Sequence, residues 1–148
     1  MTYGNIYVAK VAMGANPNQI VKAFIEAESY PGPSLIIAYT HCIAHGIDMT
    51  TGYDLQKQAV ECGHWPLFRF DPRLKEQGKN PLQLDSKAPT VKWEDYAYKQ
   101  TRYRALQKIN PQAAEQLGRL AAKDVADKWH LMEQLAKISC GSGEKTES

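Results

Sequence analysis

The sequence has no long hydrophobic run, few cysteines and almost no excess charge, and each shortage excludes a class of function. The longest strongly apolar stretch, from Leu35 to Tyr39, is far too short to cross a bilayer. The formal net charge is only +2, from 18 basic and 16 acidic side chains. So small an excess gives no electrostatic reason to expect nucleic acid or a membrane surface as a partner. Three cysteines are an awkward number for a disulfide framework.

The N-terminus and the composition place the chain among cytoplasmic globular proteins. Met1 to Asn5 has neither the basic nor the apolar part of a signal peptide, so we expect none. In the cytoplasm the cysteines should stay reduced unless a metal or a redox reaction uses them. The 148 residues, of which 43% are apolar, are enough for one domain, or for one domain with a tail.

The first part of the chain alternates between strand and helix patterns. Ile6 to Ala12 is rich in β-branched residues and predicts a strand. Asn16 and Pro17 predict a helix start, with Gln19 close to the position that completes a capping box. The spacing of the next apolar residues predicts one helix face, formed by Ile20, Ala23, Phe24 and Ala27.

Two further strands are predicted before residue 71. Ser34 to Tyr39 is a short apolar run between chain breakers, the form of a buried parallel strand. Asp54 to Cys62 predicts a helix that Gly63 ends, and Trp65 to Phe70 a third strand. This order predicts an α/β fold, a three-layer α/β/α arrangement around a short parallel sheet. Three strands leave exposed edges, so we expect part of a larger α/β domain whose leading strands lie elsewhere.

The second part of the chain is predicted to be mostly helical. Within the irregular region after Asp71, Leu82 and Leu84 alternate as in an edge strand. Trp93 to about Ile109 predicts a helix, and Asn110 with Pro111 predicts the start of a long final one. Its apolar stripe consists of Leu117, Ala121, Val125, Trp129, Met132 and Leu135. We therefore divide the chain into a partial α/β domain (1–90), a helical extension (91–138) and a disordered tail (139–148).

Cys42 is the candidate functional residue. Ligands of open parallel sheets gather at the carboxyl ends of the strands, and Cys42 lies three residues beyond the second predicted strand. A thiol there can be a metal or cluster ligand, a nucleophile activated by the neighbouring His41 and His45, or a packing residue. Position alone favours packing, because free cysteine is among the most buried residue types.

Four segments of the sequence carry a family resemblance. They are residues 3–9 (YGNIYVA), 39–46 (YTHCIAHG), 59–72 (AVECGHWPLFRFDP) and 78–89 (GKNPLQLDSKAP). Together, and in this order, they resemble the last domain of pyruvate:ferredoxin (flavodoxin) oxidoreductases. The resemblance covers the chain from about residue 1 to residue 90.

The resemblance implies a function that this chain shares with a larger polypeptide. Such enzymes decarboxylate pyruvate on thiamine diphosphate and Mg²⁺, and pass the acetyl group to coenzyme A. The electrons travel through [4Fe-4S] clusters to ferredoxin or flavodoxin. By resemblance, residues 1–90 correspond to the C-terminal half of the thiamine-binding domain, and Cys42 to the fourth ligand of the cluster nearest the thiamine. The complete enzyme is expected to be a homodimer.

The sequence lacks segments that bind cofactors in the family. The segment that binds thiamine and magnesium in the family is absent from these 148 residues, as are the other cluster cysteines. Since the cofactors supply the difficult chemistry of such an enzyme, we predict that the isolated chain is inactive.

The alternative hypothesis is a small non-enzymatic module that binds zinc or a partner protein. His41, Cys42, His45, Cys62 and His64 could form a zinc site, but their spacings do not match a strong zinc motif. Basic and aromatic residues alternate between Lys92 and Lys108; we interpret them as a helix with packed aromatics rather than a nucleic-acid surface. Cys62 is predicted to be a buried apolar residue and Cys140 an incidental thiol.

Overall fold

The computed structural model describes Met1 and residues 3–139. Within them the strands are β1 (Tyr7–Val11), β2 (Ser34–Ala38), β3 (Phe68–Phe70) and β4 (Leu82–Leu84). The helices are α1 (Pro17–Ser29), α2 (Gly52–Glu61), α3 (Arg73–Glu76), α4 (Trp93–Ala97), α5 (Thr101–Ile109) and α6 (Pro111–Lys137). The α/β class is confirmed. Apart from its first residue, the predicted tail at 139–148 lies outside the described residues.

The strands form one sheet in the order β2-β1-β3-β4. β1 and β2 are parallel, as predicted, but β3 runs antiparallel to β1, and β4 runs antiparallel to β3. The prediction of an all-parallel sheet was therefore wrong. The Trp65 indole N–H donates to the Val11 carbonyl oxygen at 3.1 Å, so the chain approaches β3 at the edge where β1 ends. A strand that starts at that edge has to run back along β1 in the opposite direction.

Helices cover the two faces of the sheet. On one face, Tyr7, Ala9 and Val11 of β1 pack with Ala23 of α1. On the other face, apolar side chains of three strands pack with α6; they are Val8, Phe68 and Leu82, with Met132 and Leu135 from the helix. A third cluster joins α2, α4 and α6 through Leu55, Ala59, Cys62, Trp93, Tyr96, Ala97 and Val125.

The two predicted asparagine caps are confirmed. The Asn16 side chain accepts a hydrogen bond from the Gln19 N–H at 3.0 Å, and Asn110 accepts one from the Ala113 N–H at 3.1 Å. Each cap satisfies a backbone donor that the first helical turn leaves free. Gln19 does not complete a capping box, because its side-chain amide donates instead to Asp85 and to the Lys10 carbonyl oxygen.

Three details of the helices and strands differ from the sequence prediction. The helix expected from Trp93 to Ile109 is broken between Ala97 and Thr101, where Gln100 occupies the N-cap position of α5 without a side-chain capping bond. Phe24, predicted on the same helix face as Ala23, is 57% exposed, whereas Ala23 is buried. β2, predicted to be buried, has only Ile36 partly buried. The apolar pattern of β2 is that of an interior strand, but within the described residues the strand lies at the sheet edge.

A buried ionic network that the sequence analysis missed links β3 to α1. The Arg69 guanidinium donates two hydrogen bonds to Asp85, at 2.9 and 2.8 Å, and one to Glu26 at 2.6 Å. Tyr7 donates to the second oxygen of Glu26 at 2.9 Å. The hydrogen bonds that Arg69 donates to Asp85 raise the pKa of Arg69, and burial, followed by the hydrogen bond to Glu26, raises the pKa of Tyr7. Arg69 therefore stays charged inside the protein.

Candidate metal-ligand site at the carboxyl edge of the sheet

Cys42 lies in the loop that follows β2, at the edge where the two parallel strands end. It precedes a single 3₁₀ turn, Ile43–His45, which Gly46 closes in a left-handed conformation with φ of 64°. The Cys42 thiol is free and half-buried, and no hydrogen bond to it occurs among the described residues. The loop thus presents an unengaged sulfur at the edge of the sheet where ligands of α/β proteins gather.

The start of α5 fastens this loop. The Gly46 carbonyl oxygen accepts hydrogen bonds from the Thr101 N–H at 3.0 Å and from the Thr101 hydroxyl at 2.7 Å. The Arg102 guanidinium lies 3.3 Å from His45 Nε2. A Cβ atom added at Gly46 would lie 2.5 Å from the Thr101 Cβ, so only glycine allows the approach. The helical part of the chain therefore fixes the conformation of the loop that carries Cys42.

Gly46→Ala is expected to destabilise the chain more than Gly78→Ala does. Both glycines have positive φ, so both variants carry backbone strain of about 1–2 kcal/mol. Only Gly46 has a close neighbour, and the clash with Thr101 should add about 1–3 kcal/mol, while nothing lies within 4 Å of a Cβ at Gly78. Urea unfolding followed by tryptophan fluorescence measures both. Equal losses would show that the approach of Thr101 does not constrain the loop.

The histidines beside Cys42 face in different directions. His41 Nδ1 lies 3.0 Å from the Gln56 side-chain nitrogen, and the His41 ring packs directly over Gly52 at the start of α2. His45 instead contacts Arg102, and burial together with this cation lowers the pKa of His45. The two rings are thus engaged by α2 and α5 respectively.

The other residues of the possible zinc site lie in separate surroundings. Cys62 is 3% exposed in the core, and its thiol donates to the Ala59 carbonyl oxygen at 3.5 Å. Burial raises the pKa of the Cys62 thiol, as expected for a packing residue. The His64 ring lies 5.2 Å from the Tyr96 ring. The part of the chain that the structure describes holds no group of three metal-binding side chains, so it gives the zinc hypothesis no support.

Three basic side chains, Arg102, Lys10 and Lys128, lie near His64. Burial lowers the pKa of His64, and Arg102, Lys10 and Lys128 lower it further. Burial and the charge of Lys128 lower the pKa of Lys10 to about 8, and the Lys10 ammonium lies 3.9 Å from the centre of the Trp65 ring. In residues 1 and 3–139, no ion pair involves any of the four. This side of the molecule therefore has an excess of positive charge.

Two of these basic side chains, Arg102 and Lys128, line an open groove of about 610 Å³ between α5 and α6, together with His64 and Asp124. Its walls are aromatic and aliphatic and include Trp93, Tyr103 and Leu117. The predicted packing of aromatic residues in this region is confirmed for Trp93 and Tyr96, which are 7% and 0% exposed. Leu117, which belongs to the predicted apolar stripe of α6, is 54% exposed in this groove.

The chain is similar over nearly its full length to part of much longer enzymes. It is 53% identical over 136 residues to the pyruvate-flavodoxin oxidoreductase of Nostoc, and 51% identical over 141 residues to the pyruvate:ferredoxin oxidoreductase of Moorella thermoacetica. These alignments cover 92% and 95% of this chain. The chain is homologous to a segment of pyruvate-flavodoxin and pyruvate:ferredoxin oxidoreductases. No family profile matches it.

The homologous segment is a small share of each oxidoreductase. The chain spans 11% of the length of the Nostoc oxidoreductase and 12% of the Moorella protein. A pyruvate dehydrogenase [NADP(+)] of Euglena gracilis is 47% identical over 132 residues, which are 88% of this chain and 7% of that protein. Among the described residues of this oxidoreductase segment, no helix is long and apolar enough to cross a membrane.

Proposed function

We propose that this chain is the C-terminal part of a pyruvate:ferredoxin or pyruvate:flavodoxin oxidoreductase, and that Cys42 supplies one thiolate to the [4Fe-4S] cluster nearest the thiamine. The observation that carries the proposal is identity above 50% over more than nine-tenths of the chain to segments of enzymes with these names. The C-terminal position and the cluster role follow from the resemblance of the loop at residues 39–46.

The donor set of this chain fits a shared cluster and not a complete one. A [4Fe-4S] cluster is held by four thiolates. Of the two cysteines among the described residues, Cys62 is buried in the core, whereas Cys42 is half-buried in a loop at the sheet edge. The described residues thus offer one available thiolate, and the whole sequence has three cysteines, so a cluster with four thiolate ligands needs cysteines from elsewhere in the polypeptide.

The charge around the loop supports an anionic neighbour. A cluster ligated by four thiolates carries net negative charge, and so does the diphosphate of thiamine. Arg102 contacts His45 in the Cys42 loop, and Arg102, Lys10 and Lys128 form a basic region around His64 that has no ion pair among the described residues. Such cations favour the more negative state of a nearby redox group and raise its reduction potential.

In this proposal the remainder of the polypeptide holds the other cofactors. Thiamine diphosphate with Mg²⁺ supplies the decarboxylation chemistry, coenzyme A accepts the acetyl group, and ferredoxin or flavodoxin accepts the electrons. The complete enzyme is a cytoplasmic homodimer. The role of this chain is to position Cys42, and the hydrogen bonds from Thr101 to the Gly46 carbonyl oxygen hold the Cys42 loop in place.

The decisive experiment is Cys42→Ala in the complete enzyme. We expect a loss of about four iron atoms per chain, which is one cluster, because a missing thiolate leaves one iron without a protein ligand. Iron and protein are measured on the purified enzyme, together with the electron paramagnetic resonance signals of the reduced clusters.

Cys62→Ala is the matched control. It also removes a thiol, but from the core, so it is expected to lower stability while leaving the iron content unchanged. If Cys42→Ala retains all its iron and its activity, or if both variants lose the same amount of iron, Cys42 is not a cluster ligand.

A further inference from the structure

β2 ends the sheet with an open, apolar edge. In the described residues it pairs only with β1. The Tyr39 N–H donates to Val11, and the Pro33 carbonyl oxygen accepts from Tyr7, so the odd-numbered residues of this stretch bond to β1. Because backbone groups alternate along a strand, the N–H and C=O groups of Ser34, Ile36 and Ala38 point to the open side.

The edge has none of the features that normally protect an exposed strand. Natural edges are short, covered, or interrupted by charge or proline. The five residues of β2 (SLIIA) contain neither a charged residue nor proline. The opposite edge, β4, is protected: Leu82 and Leu84 pack near Met132 of α6, and Asn80 donates to the Leu135 carbonyl oxygen at 2.7 Å.

Both layers next to β2 also lack cover. Leu35 and Ile37 are in register with Val8 and Lys10, on the face that α6 covers farther along the sheet, but they are 52% and 39% exposed. Over the other face, α1 leaves three apolar side chains more than half exposed: Val21, Phe24 and Ile25. A strand that is apolar on both faces is typical of the interior of a sheet with helices on both sides.

We infer that β2 is an interior strand of a larger sheet, and that an extended segment of the remaining oxidoreductase polypeptide pairs with its open edge. The inference rests on the proposed function, since it needs a complete enzyme of which this chain is one part. The relatives are about eight times longer than the chain, so most of their sequence is available to supply the strand and its covering helices. A second copy of this chain would offer only another five-residue edge.

Hydrogen exchange in the complete enzyme tests the pairing with an internal control. The amides of Leu35 and Ile37 bond to β1, whereas those of Ser34, Ile36 and Ala38 are free unless another strand binds them. We expect the two sets to exchange at rates within about 10-fold of each other in the complete enzyme. Mass spectrometry with fragmentation of the peptide that contains residues 34–38 resolves the two sets.

Two results of the hydrogen-exchange experiment would contradict the pairing of β2 with the remaining polypeptide. If the even-numbered amides exchange at least about 100-fold faster than the odd-numbered ones in the complete enzyme, the edge is open and the inference is wrong. If the even-numbered amides lose their protection when the complete enzyme is diluted to monomers, a second copy covers the edge, which also overturns the inference. Neither result affects the iron count of Cys42→Ala, so the proposed function is judged separately.

A matched pair of variants tests the covering of Leu35. Leu35 and Leu131 are 52% and 54% exposed, but Leu131 lies among polar residues of α6, with Asp127, Lys128 and Gln134 one turn away. We expect Leu35→Lys to reduce the yield of soluble complete enzyme at least 10-fold, because it places a charge in a buried layer, and Leu131→Lys to leave the yield unchanged. Equal yields would contradict a covered Leu35.

Discussion

Arg69→Met is expected to lower the free energy of unfolding of the chain by about 3 kcal/mol or more. The Arg69 side chain is 6% exposed, and its partners Glu26 and Asp85 are 22% and 15% exposed. Methionine fills a similar space but removes all three hydrogen bonds. It leaves two carboxylates in the interior without their cation, which is the costly way to break a buried ion pair. Urea unfolding, followed by the fluorescence of Trp65, Trp93 and Trp129, measures the loss.

Arg119→Met is the matched control for Arg69→Met. Arg119 pairs with Glu115 at 3.4 Å, but the two side chains are 73% and 69% exposed. Such surface pairs contribute less than about 1 kcal/mol, so the unfolding midpoint should hardly move. Equal shifts for the two variants would mean that the Arg69 network is as weak as a surface pair.

The isolated 148-residue chain is expected to reduce no electron acceptor when it is given pyruvate, coenzyme A, thiamine diphosphate and Mg²⁺. The segment that binds thiamine in the enzymes that this chain resembles does not occur in its sequence. Its described residues include Cys42, the proposed cluster ligand, but no group of three metal-binding side chains. Pyruvate-dependent reduction of a viologen dye measures the activity, and the complete enzyme serves as the positive control. Any rate above the blank without pyruvate would contradict the assignment of the cofactor sites to the rest of the polypeptide.

Local signals predicted the helices better than the strand directions. The starts of α1 and α6 are marked by an asparagine followed by proline, at residues 16–17 and 110–111. Such starts can be predicted because a helix cap depends on residues that are adjacent in the sequence. The direction of β3 depends on where Trp65 contacts β1, at a separation of 54 residues. The rule that favours parallel crossovers could not predict this contact.

For the candidate site, the sequence predicted the loop and its cysteine but not the surroundings. The resemblance singled out Cys42, and its position beyond β2 is as predicted, while its role as a ligand stays a prediction. The bond from Thr101 to Gly46 was missed, because no periodic pattern links residues so far apart. Arg69 was missed as well: it lies within an apolar strand, where a single charged residue could have signalled a buried ionic partner.

The bonds between Gly46 and Thr101 also bear on the order in which the protein matures. The two residues are 55 positions apart, so the Cys42 loop reaches its final conformation only after α5 has been synthesised and has docked. The ribosome synthesises α5 after the loop, so these bonds are missing from a nascent chain that ends before Thr101. If Cys42 binds the cluster as proposed, its thiolate is therefore placed late in biogenesis, and a chain terminated before α5 lacks the contact that holds the loop.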